Sequence, residues 1–105
     1  MALTRTESTD RLFKSILSLK NIDECYEYFE DLCTVKELID MSQRLEVAMK
    51  LDAGVSYQKI QEGTRVSSAT IGRVNRCLCY GDGGYKKIID RLRLSDEGER
   101  DEKKE

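Results

Sequence analysis

At 105 residues, 36% of them charged and 39% hydrophobic, the chain has material for one core and not two. No apolar run approaches the roughly 20 residues that cross a bilayer, and Met1 to Asp10 lacks the apolar stretch of a secretion signal, so a cytoplasmic protein with no membrane partner is expected. The net charge of -2 is unevenly spread: residues 1–33 carry 4 basic and 7 acidic groups, residues 34–93 carry 11 and 7, and residues 94–105 carry 3 and 6.

With no proline, no sustained alternation of apolar and polar residues, and apolar residues recurring at helical spacing, the sequence reads as all-α. Residues 1–7 read as a flexible N-terminus ahead of a helical domain over 8–93. The first helix is expected from Ser8 or Thr9 to Leu19, with Leu12, Phe13, Ile16, Leu17 and Leu19 as its apolar stripe. Asn21 followed by Glu24 predicts an N-cap with a reciprocal partner, opening a second helix whose inner face carries Ile22, Cys25, Tyr26, Phe29, Leu32 and Cys33. Thr34 and Glu37 repeat that arrangement and predict a third helix to about Asp52, packing Leu38, Ile39, Leu45, Ala48, Met49 and Leu51, with Gly54 as its stop. After residues 56–79, the glycines of Gly81-Asp82-Gly83-Gly84 favour a turn, and a last helix spans about Tyr85 to Leu92. Residues 94–105, almost all charged, are expected to form a disordered tail.

Residues 56–79 carry the functional signal, because two short helical patterns sit three to four residues apart, each with its own cap. Ser56 caps a helix from Tyr57 to about Glu62, Gly63 and Thr64 begin the turn, Val66 is an apolar plug, and Ser67 caps the second helix. There Ile71, Val74 and Leu78 share one face, which leaves Ser68, Ala69, Gly72, Arg73 and Arg76 on the other. Small residues at the helix start let its N-terminus approach a groove, and the arginines beyond can reach bases or phosphates. These five are the candidate base-facing residues; Ser56, Gln58, Lys59 and Arg65 are the candidate contacts to the DNA backbone. A packing-only helix pair with Arg73 and Arg76 held by Glu62, Asp82 or Asp90 would give the same pattern.

Catalysis is not expected: there is no histidine, no serine nucleophile turn, no phosphate-binding loop, and no isolated carboxylate pair in an apolar setting. Cys25, Cys33, Cys77 and Cys79 lack zinc-ribbon spacing, so they read as reduced thiols with no metal.

The run VSSATIGRV, Val66 to Val74, matches the V-S-x-x-T-I-x-R pattern of bacterial helix-turn-helix repressors. The wider stretch from Asp31 to Tyr85, with DRLFKSILSL before it, resembles the YerC/YecD branch of the Trp-repressor family over residues 10–92. That resemblance implies about six helices, an intertwined homodimer, and recognition helices set to half-sites about 34 Å apart on double-stranded DNA. It also implies an effector pocket built from Gln43, Arg44, Arg73, Val74 and Cys77. Gln43 stands where the family's second sandwiching arginine belongs, Val74 replaces a glycine beside the ligand, and Cys77 replaces a serine. L-tryptophan is therefore disfavoured as co-repressor, no cofactor is expected, and any effector is left open. The functional expectation is a sequence-specific transcriptional regulator that represses by occlusion; the alternative is a helical protein-interaction module, which salt dependence would distinguish.

Overall fold

Short-range capping sets where most of the helices begin. The computed structural model describes residues 3–104, with side chains as far as Asp96. Six α-helices appear in order: α1 (Glu7–Leu17), α2 (Ile22–Leu32), α3 (Val35–Asp52), α4 (Tyr57–Thr64), α5 (Ser68–Tyr80) and α6 (Gly84–Lys104), with no strand among the described residues. The chain divides into two compact units, Met1–Asp40 and Met41–Glu105.

In the first unit, α1 starts earlier than the expected Ser8 or Thr9. Thr6 is the cap: its hydroxyl accepts from the Thr9 amide at 3.1 Å while the Thr9 hydroxyl accepts from the Thr6 amide at 2.9 Å. Of the segment read as flexible, Thr6 is the cap of α1 and Glu7 its first residue, while Met1 and Ala2 lie outside the described residues. Asn21 caps α2 as expected, accepting from the Glu24 amide at 2.8 Å, but the Glu24 carboxylate reaches one residue further back, to the Lys20 amide at 3.0 Å. At α3 the Thr34–Glu37 pair closes fully, at 2.9 and 3.1 Å. The Thr34 amide, followed by the Thr34 hydroxyl, holds the Glu37 carboxyl below the usual range.

The apolar stripe of α1 and the inner face of α2 stay uncovered within this unit. Neither helix has a buried residue, and Leu12, Phe13, Leu17, Ile22, Tyr26 and Leu32 are exposed, Leu17 by 82%. An amphipathic stripe states which face needs cover, and this unit of one chain does not supply it. Ile39 is likewise exposed.

The second unit contains the core: Val47, Ala48, Ile60, Val66, Ile71, Val74 and Ile89, with Leu45, Met49, Leu51, Val55, Leu78 and Tyr85 packed against it. Val47, Ile60 and Ile89 escaped the sequence reading, although each is an aliphatic residue at helical spacing from its neighbours. Gly54, at φ 86°, ends α3 in a Schellman turn, with the Gly54 amide on the Leu51 carbonyl and the Val55 amide on the Lys50 carbonyl, both at 3.0 Å. At the far end of α5, a β-carbon on Gly81 would stand 2.3 Å from the Cys77 carbonyl oxygen, so glycine is required there by close approach.

The last helix does not stop near Leu92. It runs to Lys104, through the segment expected to be disordered, because a formed helix extends at little cost and Glu, Lys and Arg are good helix formers. Its first turns are tied to α3 through Asp52. Lys86 Nζ lies 3.1 Å from Asp52 Oδ1, Arg93 Nη1 lies 2.6 Å from Asp52 Oδ2, and Arg93 Nη2 donates to the Met49 carbonyl at 3.5 Å. The Lys86 hydrogen bond, then the Lys86 and Arg93 charges, hold the Asp52 carboxyl below its usual range against the desolvation that opposes them. Since the folded value lies below the unfolded one, this contribution is complete above about pH 4 and is lost as pH falls through the folded value. Replacing Asp52 with Asn is expected to cost about 1–2 kcal/mol at neutral pH, allowing for the exposure of both cations, and to flatten the acid limb of the stability curve. Urea unfolding of both proteins at pH 7 and pH 3 checks it; equal midpoints at pH 7 would remove Asp52 from the account.

Candidate nucleic-acid interface

Two short helices joined at a fixed angle are needed to present one of them to a groove, and α4 and α5 meet that need through Arg65, Val66 and Ser67. Ser56 caps α4, accepting from the Lys59 amide at 3.3 Å. The helix then runs two residues beyond the expected Glu62, to Thr64, whose hydroxyl donates back to the Ile60 carbonyl at 2.6 Å. The turn therefore starts at Arg65 and not at Gly63. Arg65 sits at φ 60° and ψ 16° with its amide on the Gln61 carbonyl at 3.0 Å, so this position takes the left-handed conformation that glycine adopts freely. Val66, 8% exposed, fills the angle between the helices as the expected plug.

Arg65→Gly is expected to raise stability by about 0.5–1 kcal/mol, the relief of left-handed strain less the greater entropy that glycine loses on folding. Thermal melting decides it, and a lower Tm in the variant would mean that the arginine side chain contributes more than its backbone costs.

Ser67 caps α5, accepting from the Thr70 amide at 3.2 Å. Ile71 and Val74 point into the core and Leu78 packs against it. The opposite face is free: Ser68, Ala69, Arg73 and Arg76 are exposed and Gly72 is half-buried. Among the described residues, neither arginine is in an ion pair, so the restraint by Glu62, Asp82 or Asp90 weighed from sequence is absent there. Gly72 has open space beyond it, with nothing within 4 Å of an added β-carbon. Protein packing thus gives no reason for a residue that costs a helix interior about 1 kcal/mol.

The four candidate backbone contacts, Ser56, Gln58, Lys59 and Arg65, are exposed on or beside α4. The Ser56 hydroxyl already serves the Lys59 amide, and Gln58 Nε2 leans toward Glu62 Oε1 at 3.4 Å, while Lys59 has no ion pair among the described residues. The five residues of the possible effector pocket differ in setting. Val74 is 2% exposed within the core, Gln43 is half-buried, and Arg44, Arg73 and Cys77 are exposed. Cys25 and Cys33 are half-buried thiols, and Cys77 and Cys79 exposed ones.

A capped pair of helices around a Val66 plug, with the second helix buried along one side and bearing free arginines on the other, defines a helix-turn-helix protein. Residues 7–93 match the family model described as Trp repressor protein. The chain belongs to the Trp repressor family, a family of DNA-binding regulators. It is 51% identical over 89 residues to YerC, an uncharacterized protein of Bacillus subtilis (strain 168), covering 85% of this chain and 86% of that one. Among solved structures it is similar to a TrpR-like protein from Eubacterium eligens ATCC 27750, with a TM-score of 0.83 and 48% identity over 86% of this chain and 93% of that one. A candidate Trp repressor from Staphylococcus aureus gives a TM-score of 0.82 and 45% identity over 85% and 89%. The family resemblance carried by Val66 to Val74 and the six-helix expectation are thus both met.

Proposed function

We propose that this protein is a sequence-specific transcriptional regulator that binds double-stranded DNA as a homodimer in the cytoplasm and represses by occluding its site. The observation that carries the reading is the outer face of α5, where Ser68, Ala69, Gly72, Arg73 and Arg76 are clear of the core and both arginines are free of ion pairs among the described residues. Gly72, which packing does not require, leaves room for a base edge or a groove wall. Ser56, Gln58, Lys59 and Arg65 then hold the phosphates that set the register.

Dimerisation is supported by the first unit. Exposed Leu12, Phe13, Leu17, Ile22, Tyr26 and Leu32 amount to two apolar faces on helices without a buried residue, and Leu3, Phe13 and Leu17 line an open, mainly apolar hollow. A second copy presenting the same faces would cover them, and a dimer has two α5 helices to offer to successive grooves. No helix searched among the described residues is long and apolar enough to cross a membrane. Tryptophan is not the effector in this reading: Val74 fills core space beside Ile71, where the family pocket has a glycine.

Selection of bound duplexes from a random pool, at near-physiological salt with and without L-tryptophan, tests the proposal. An enriched palindrome in both conditions is the expected outcome, and enrichment only with tryptophan would overturn the effector reading. Absence of enrichment and of salt-sensitive retention would leave the protein-interaction module as the better account.

A further inference from the structure

One side chain of α5 has no role in the reading so far. Tyr80, in the last turn, is 87% exposed, more than any other large apolar or aromatic side chain among the described residues. Its hydroxyl forms no hydrogen bond and its ring no aromatic pair among them. The chain leaves it uncovered: Gly81 ends the helix where no β-carbon fits, and Gly83, at φ 89°, turns the backbone into α6.

Tyr80 follows Arg76 by four residues and Arg73 by seven, so at 3.6 residues per turn the three lie along one side of the helix. From Ser68 to Tyr80 the helix rises about 18 Å, and the major groove is about 12 Å wide. A helix that enters by its N-terminal turn, as Ser68, Ala69 and Gly72 allow, carries its last turn out to the groove's edge, where the sugar–phosphate backbone lies. A tyrosine suits that place, with a ring to pack on a sugar and a neutral hydroxyl to donate to a phosphate oxygen.

Building on the DNA-binding reading above, we infer that Tyr80 is a positioning residue which donates its hydroxyl to a backbone phosphate at the C-terminal end of the recognition helix and so fixes how deeply α5 seats in the groove. Being neutral, it releases no counterion, and this separates it from Lys59.

The test uses the full chain and duplexes of random sequence, about 30 base pairs long so that two half-sites fit. Tyr80→Phe is expected to weaken binding about tenfold, each of two hydroxyls contributing about threefold, while the slope of log affinity against log salt stays that of the parent. Lys59→Ala, measured beside it, should lower that slope. Parental affinity in Tyr80→Phe would overturn the inference while leaving the DNA reading in place. Loss of affinity with a shift to monomer in sedimentation would also overturn it, assigning the hydroxyl to a protein contact. No binding by the parent would instead remove the DNA reading on which the inference stands.

Discussion

Replacing Arg73 with alanine is expected to lower DNA affinity roughly a hundredfold or more and to flatten the base preference of the selected site. A guanidinium paired bidentately with a guanine edge is worth about 1–3 kcal/mol, and a homodimer loses two of them. The free protein should be unaffected, because Arg73 is exposed, belongs to no ion pair among the described residues, and lies on the side of α5 away from Ile71 and Val74. Lys59→Ala provides the contrast. At the start of α4 it meets phosphate in this reading, so its loss should weaken all duplexes alike and reduce the salt slope by about one unit per contact. Binding isotherms for the two variants at several salt concentrations, on the selected site and on a scrambled one, check both. Equal loss on both duplexes for Arg73→Ala would move it to the backbone set, and parental behaviour of both variants would mean that the wrong face of α5 has been assigned.

The features legible in the sequence are those that span a few residues. Asn21, Thr34, Ser56 and Ser67 were recognisable as caps because a hydroxyl or amide oxygen reaches an amide three residues on, whatever the rest of the fold does. The inward face of α5 was legible for the same reason, since Ile71, Val74 and Leu78 fix it by spacing alone. Thr6 was missed because Thr9, itself a good cap residue, sits where the apolar stripe begins. The anchoring of α6 was beyond reach: Asp52 meets Lys86 and Arg93 across 34 and 41 residues, and nothing in local spacing pairs them. The stripes of α1 and α2 were legible as apolar, but which molecule covers them was not, because periodicity carries no information on that. For the tail, the absence of apolar residues argues against packing but not against continuation of a helix already formed, and α6 runs to Lys104.

Ile71→Ala is expected to have the largest effect on the free protein, about 3 kcal/mol of stability and a fall in Tm of more than about 10 °C. Ile71 is fully buried, and its core draws on α3, α4, α5 and α6 through Val47, Ala48, Ile60, Val74 and Ile89. Removing its branched side chain leaves a cavity that four helices must either tolerate or collapse into, and a small domain has only about 5–10 kcal/mol in all. The same side chain sets the rotation of α5, so that Ser68 and Arg73 face outward only while Ile71 faces in. DNA binding should therefore fall with stability in Ile71→Ala, whereas in Arg73→Ala it falls with stability intact. Thermal melts beside binding at a temperature where the variant is still folded separate the two. Parental stability in Ile71→Ala would show that α5 is not docked through this face, and the outward orientation of the arginines would lose its physical basis.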